Sequence, residues 1–248
     1  VRVKNILVSQ PRPQSEKSPY FDLADKYKLE IDFRQFTDVE GIPAIEFKKQ
    51  KINLLDFTAV VMSSKTSIDN YFRLAEELRI IIPTEMKFFC VTESIAYYLQ
   101  KYITYRKRKI FYAEKDFDDL IEILKKHPEE KYLLPVADVH KPAIPAKFKK
   151  AKLNFAKAIM YKTVSADLSD LREVNYDILV FFSPSGIESL LENFPDFKQN
   201  GTKIATFGLS TATAVKKAGL RLDIKAPTKE SPSMTMAIEK FIKSNKNE

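Results

Sequence analysis

With 248 residues and 44% hydrophobic side chains, the chain can bury one large core or two moderate ones, and it is too apolar to be disordered. Its formal charge of +8 favours an anionic partner: nucleic acid, a membrane surface or a polyacidic small molecule. A single cysteine, Cys90, and two widely separated histidines, His127 and His140, exclude an intrachain disulfide and leave no metal-ligand spacing, so no metal site is expected.

The first strand is predicted at 3–9, followed by a helix near 16–28 and a strand near 30–35. Strands at 57–62, 87–91, 109–113 and 131–136 then alternate with helices over 67–79, 94–103 and 116–126. The C-terminal third repeats the alternation, with strands at 178–182, 203–207 and 221–225 and helices over 186–193, 210–218 and 233–243. Apolar strands separated by amphipathic helices read as β-α units on parallel sheets. The longest apolar runs, such as ILVFF at 178–182, are far below the roughly 20 residues of a membrane span, so no membrane partner is expected. The opening VRVKNILV enters a strand with no signal-peptide pattern, and the expected location is cytoplasmic. Cys90, inside an apolar strand, reads as a buried inert thiol, and Met234 and Met236 read as core positions of the last helix.

A weak internal repeat is present. MSSKTSIDNYF aligns with FFSPSGIESLL, placing Ser64 on Ser183, and KFFCVTESIAYYL aligns with KIATFGLSTATAV, placing Ser94 on Ser210. The joints lie 30 residues apart in the first copy and 27 in the second. Two similar α/β domains explain this most simply. If the N-terminal strands complete the sheet of the C-terminal third, that domain has five parallel strands, a flavodoxin-like number. The second domain is then inserted into the first. Its expected bounds are 52–152, with the first domain at 1–36 and 172–248. A two-strand linker covers 37–51 and 153–171, its crossings EIDFRQFTDV and NFAKAIMYKTV leaving a cleft and a hinge.

The joints place hydroxyls and backbone amides at strand carboxyl ends, where open α/β sheets hold ligands. Ser185 with Glu188, and Thr66 with Asp69, also fit capping boxes, so Ser-Pro-Ser-Gly at 183–186 reads either as a cap or as an anion contact. At GLSTATAVKK no acidic residue occupies the first turn, and Gly208 lets a ligand approach the backbone. Open amides and the helix dipole there favour a carboxylate. The matching helix of the inserted domain begins with Glu93 and should bind anions less well. Lys65, directly after Ser64, is the best single cationic contact in that domain. The run YRKRKIFY invites a nucleic-acid reading, but no companion motif supports it, and a solvated helix end is the plainer reading.

Taken together, AVVMSSKTSIDNYF, AIMYKTV, DILVFFSPSGIESLL, KIATFGLSTATAVKKAG and APTKESPSMTMAIEKF make the chain resemble the uroporphyrinogen-III synthase family across nearly its whole length. One departure is Ser9-Gln10-Pro11, where the family's first strand commonly ends in Thr-Arg-Pro. Another is Thr92, which stands where the second repeat has Gly208. The resemblance implies two flavodoxin-like domains joined by a two-strand linker, with the substrate held between them. It implies a cofactor-free reaction of a monomer on hydroxymethylbilane, a linear tetrapyrrole carrying acetate and propionate groups. The hydroxyl leaves as water, ring D inverts through a spiro intermediate, and the macrocycle closes. The resemblance places the family's cleft tyrosine at Tyr161, with Lys162, Thr163 and Val164 completing the match. Substrate contacts are expected at Ser64, Lys65, Thr66 and Ser94, and at Ser183, Ser185, Gly186, Gly208, Leu209, Ser210 and Thr211. A non-catalytic tetrapyrrole-binding protein and a nucleic-acid-binding protein are the competing classes.

Overall fold

A computed structural model describes residues 3–104, 106, 108–140, 143–171 and 175–245. Tyr105 and Lys107 of the basic run, and the expected domain boundary at 172, therefore lie outside the described residues. The chain divides into two compact units: Val1–Asp38 with Val164–Glu248 (unit 1), and Val39–Thr163 (unit 2). Among the described residues no helix is long and apolar enough to cross a membrane.

Unit 1 opens with β1 (Asn5–Val8), α1 (Pro19–Tyr27) and β2 (Glu30–Phe33). The chain crosses over through β3 (Thr37–Gly41). It continues with α2 (Ala44–Phe47), β4 (Ala59–Met62), α3 (Lys65–Glu77), β5 (Lys87–Cys90) and α4 (Glu93–Tyr98). There follow β6 (Ile110–Tyr112), α5 (Phe117–Lys125), β7 (Tyr132–Ala137), α6 (Ala143–Lys150) and β8 (Phe155–Ser165). Unit 1 resumes with β9 (Ile178–Phe181), α7 (Pro184–Asn193), β10 (Lys203–Phe207), α8 (Leu209–Lys217), β11 (Ile224–Ala226) and α9 (Met234–Ser244).

The five strands of unit 1 run parallel in the order β11-β10-β9-β1-β2. Strand alternation sorts their side chains between two cores. Ile178 and Val180 join Leu23 of α1 and Ile238 of α9 on one face. Leu179 and Phe181 join Ile187 of α7 and Val215 of α8 on the other. This is a three-layer doubly wound sheet of flavodoxin-like order.

Unit 2 has the sheet order β3-β8-β7-β4-β5-β6. The alternation is the same: Val60 and Met62 pack with Ile68 and Tyr71 of α3, and Ala59 and Val61 with Leu120 and Leu124 of α5. Numbered from β9, unit 1 follows the same spatial order as unit 2 numbered from β4. The two sheets are thus circular permutations of one pattern, which is why only the segments around Ser64 and Ser183 and around Ser94 and Ser210 align in sequence.

Several expectations need correction. The outgoing crossing is strand only over Thr37–Gly41, after which Pro43 precedes α2 and Phe47 is buried in unit 2. The returning crossing is a full member of the six-stranded sheet. The last strand of unit 1 forms later than 221–225, at Ile224–Ala226, and α4 gives way to a 3-10 turn at Leu99–Lys101. In α9, Met234 is 3% exposed but Met236 is 46% exposed. Two residues turn a helix by about 200°, so the pair cannot share one face. Cys90 is buried as expected, and burial pushes its thiol up to about 12.

Candidate active site at the strand ends

The topological switch of unit 1 falls between β1 and β9, from which the chain winds outward to β2 on one side and to β10 and β11 on the other. Ser9 follows β1, its backbone N–H donating to Val180 O at 2.9 Å. Ser183 follows β9 and caps α7: its Oγ accepts from Gly186 N at 3.2 Å and lies 3.0 Å from Ser185 Oγ. The expected cap at Ser185 with Glu188 is therefore corrected to Ser183. Pro184 takes the first helical position, where its missing N–H costs nothing. A Cβ on Gly186 would sit 3.2 Å from the Phe181 ring and 3.8 Å from Ser9 Oγ, so this glycine lets the two strand ends approach.

At the next joint Gly208 is the N-cap of α8, with φ at 90°, and no side chain caps the helix. No acidic residue lies in its first turn. Leu209 is 72% exposed and Ser210 is also exposed. Thr211 differs from expectation: it is fully buried, and its Oγ1 has no partner among the described residues. At the third helical position its side chain has already turned toward the core. The surface thus offers Ser210 and an uncapped, dipole-polarised helix start, which suits a carboxylate.

In unit 2 the switch lies between β4 and β7. Ser64 caps α3 in a reciprocal box with Ser67: Ser64 Oγ accepts from Ser67 N at 3.0 Å, and Ser67 Oγ accepts from Ser64 N at 3.1 Å. This replaces the expected pairing of Thr66 with Asp69, because Asp69 is engaged elsewhere. The Tyr98 hydroxyl donates to Asp69 at 2.8 Å, and Tyr102 does so at 2.5 Å. Partial burial works against ionisation of Asp69, but hydrogen bonds from Tyr102, Tyr98 and Lys101 outweigh it and lower its pKa. Thr66 is half-buried and its carbonyl accepts from Asn70 Nδ2. The Lys65 ammonium lies 5.2 Å from the Tyr98 ring centroid, within cation–π range. At the neighbouring joint Thr92 caps α4, and Ser94 Oγ sits 3.0 Å from Thr92 Oγ1. Glu93 occupies the first turn there, so this end is both capped and acidic.

Tyr161 comes from β8. Strands β7 and β8 pair in steady parallel register from Tyr132 with Phe155 to Val136 with Ile159, then slip so that Ala137 pairs with Tyr161. Met160 is the extra residue. Ala156, Ala158 and Met160 already face the α3 side, so unbroken alternation would send Tyr161 to the opposite face. The bulge returns Tyr161 to the α3 side, where it packs against that core and its phenol interacts with the Ser64 hydroxyl. Burial raises the phenol above its ordinary value of 10, and the Ser64 hydrogen bond opposes the shift. Ser64 Oγ accepts from Ser67 N, so its own proton is free to donate to the phenol oxygen. The Tyr161 proton then remains available to a third group.

The sequence matches the family described as Uroporphyrinogen-III synthase HemD over residues 35–236. The chain belongs to this family. A solved uroporphyrinogen-III synthetase from Helicobacter pylori 26695 is 16% identical, with 97% of this chain and 99% of that one covered at a TM-score of 0.56. That likeness shows the shared fold. A mutant uroporphyrinogen III synthase from the extreme thermophile Thermus thermophilus is 13% identical, with coverage of 99% and 100% and a TM-score of 0.48. No curated protein sequence matches the chain.

Within the uroporphyrinogen-III synthase frame, the structure brings Tyr161 together with Ser64, and Lys65 and Thr66 follow on the same helical turn. In unit 1 it gathers Ser183, Ser185 and Gly186 beside Ser9, with Gly208 to Ser210 on the adjoining joint. Reading of the sequence did not identify Gln50 or Asp138. Asp138 N donates to Tyr161 O at 3.0 Å, and Asp138 Oδ1 accepts from Thr163 N at 3.2 Å. An Asp directly after a switch-point strand was the available signal for the second. Gln50 had none.

Proposed function

We propose that the protein cyclises hydroxymethylbilane to uroporphyrinogen III, as a hydro-lyase of haem biosynthesis, with Tyr161 as the proton donor to the departing hydroxyl. The observation that supports this best is the part-buried phenol returned by the β8 slip to the unit 2 switch point, beside Ser64 and protonated at neutral pH. Hydroxide is a poor leaving group, and a hydrogen bond or proton on the departing oxygen lowers the barrier. The carbon–oxygen bond breaks, water leaves, and the electrophilic end so formed closes the ring through the spiro intermediate, inverting ring D.

The substrate's acetate and propionate groups suit the surfaces at Ser183 and Ser185, at Gly208 to Ser210, and at Ser64, Lys65 and Thr66. Gly186, expected as a contact, is buried with its N–H given to Ser183 and shapes the joint instead. Ser94 is a weaker contact, because Glu93 already occupies its helix start. Orientation of a flexible chain supplies the rest of the acceleration, roughly 7–11 kcal/mol in favourable cases. Monomeric action in the cytoplasm without a cofactor belongs to the same proposal.

The test is incubation with hydroxymethylbilane generated in situ, oxidation of the products, and separation of the uroporphyrin isomers. Formation of the type III isomer above the spontaneous type I background is the expected result. Type I alone, with the protein present in excess, overturns the assignment.

A further inference from the structure

We propose that Gln50 is a positioning residue for Tyr161, its carboxamide holding the backbone slip in β8 that turns the phenol toward Ser64. This rests on Tyr161 being the proton donor. Backbone hydrogen bonds tie β3 to β8 with opposite chain directions, Ala166 N donating to Phe36 O and Ile42 N to Met160 O, each at 2.9 Å. Continued by one residue, this pairing would bring Pro43 opposite Ile159. The chain instead turns away at Pro43 into α2, so β3 supplies no partner for Ile159.

Gln50 fills the gap. Its Nε2 donates to Ile159 O at 2.7 Å and its Oε1 accepts from Ile159 N at 2.9 Å. One planar carboxamide thus replaces a strand partner at the residue preceding the extra Met160. Among side chains only Asn and Gln offer an adjoining donor and acceptor of this kind. The Met160 carbonyl is held in turn by Ile42 N, with Arg73 Nη2 at 3.4 Å from it and 2.8 Å from Ile42 O.

Without the carboxamide, Ile159 keeps a donor and an acceptor with no strand beside them, and β8 is free to lose its slip. In regular register Met160 would pair with Ala137, and Tyr161 would point away from Ser64. The Gln50 contacts therefore act on catalysis through the direction of one phenol.

The experiment compares Gln50→Leu, Gln50→Glu, Tyr161→Phe and the double variant Gln50→Leu/Tyr161→Phe in the full chain. Steady-state turnover with isomer analysis is read alongside 19F NMR of protein labelled with 3-fluorotyrosine. The Tyr161 resonance is assigned by its loss in Tyr161→Phe. Gln50→Leu should lower kcat by up to about 10²-fold, the cost of misplacing a reacting group by about 1 Å, and leave KM little changed. It should also raise the type I fraction, shift the Tyr161 resonance, and add little further loss in the Tyr161→Phe background. If Gln50→Leu does not fold, Gln50→Glu, which keeps the length and the acceptor, is judged by the same criteria. Near wild-type kcat in the Gln50 variant, with turnover lost in Tyr161→Phe, overturns the proposal and leaves the Tyr161 role standing. So does an equal proportional loss in both backgrounds, which would mark Gln50 as general scaffold. Near wild-type turnover in Tyr161→Phe removes the proton-donor role and this proposal with it.

Discussion

The Tyr161 phenol reaches the Ser64 side chain across one intervening strand, β7, in the plane of the unit 2 sheet. One residue is the proposed proton donor and the other caps a helix, so their contact links the proposed chemistry to the start of α3. This makes the two side chains separable by experiment, because their removal has different consequences.

Tyr161→Phe keeps the ring and its packing and removes only the hydroxyl. Turnover should fall by roughly the 10²-fold low end for a general acid, with fold and product affinity retained and more type I isomer released. Because burial raises this phenol, ionisation of Tyr161 should cause no loss of wild-type rate until the pH exceeds the ordinary tyrosine value of 10. The pH dependence of kcat reads this, and a Tyr161-dependent alkaline limb near pH 8 would contradict it.

Ser64→Ala removes the helix cap and the hydroxyl that opposes the upward shift of Tyr161 together. Loss of a Ser cap costs about 0.5–2 kcal/mol, measurable as a shift in the urea unfolding midpoint at constant slope. The Ser64 bond favours the phenolate, so its loss should move the Tyr161 titration further upward. A midpoint shift with no change in Tyr161 titration would show that the two residues are not coupled.

Ser210→Ala should raise KM more than Ser94→Ala does. Gly208 leaves the start of α8 without a side-chain cap, whereas Thr92 and Glu93 already occupy the start of α4. Charge-assisted bonds to substrate carboxylates should therefore form more strongly at α8. Equal effects of the two substitutions, in folded proteins, contradict this asymmetry.

Glu239 joins α9 to α1, lying 2.8 Å from Lys26 Nζ and accepting from the Tyr27 hydroxyl at 2.9 Å. Hydrogen bonds from Lys26, Lys243 and Tyr27 hold its carboxyl at about 2, against an ordinary value of 4.5. The contribution is fully present above pH 4.5 and is lost as pH falls toward about 2. Unfolding of Glu239→Gln and wild type should therefore differ at pH 7 and converge near pH 2. A difference independent of pH would mean that charge is not the cause.

The alternating architecture was legible because the central strands are short apolar runs and the longer helices have one buried stripe, as at 178–181 and 187–190. The joints were legible for the same reason, since hydroxyls directly after such runs fall at strand ends. Which hydroxyl acts as the cap was not: Pro184 fixes the first helical position and moves the cap from Ser185 to Ser183. The direction of Tyr161 was also hidden. It depends on a slip between β7 and β8 and on a side chain from 50 bonding the backbone at 159, neither of which leaves a local pattern in the sequence.

The permuted strand order bears on how the protein is made. β1 is made before unit 2, yet its neighbours in the sheet are β2 and β9, and β9 emerges only after all of unit 2. Residues 39–163 can pack while the buried side chains Ile6, Leu7 and Val8 still await half of their sheet. Of the two units, the one whose synthesis starts first is therefore completed last, contrary to the usual order of domain maturation. For the interval of elongation between β2 and β9, the nascent chain carries a β-α-β segment whose first strand lacks one of its two neighbours.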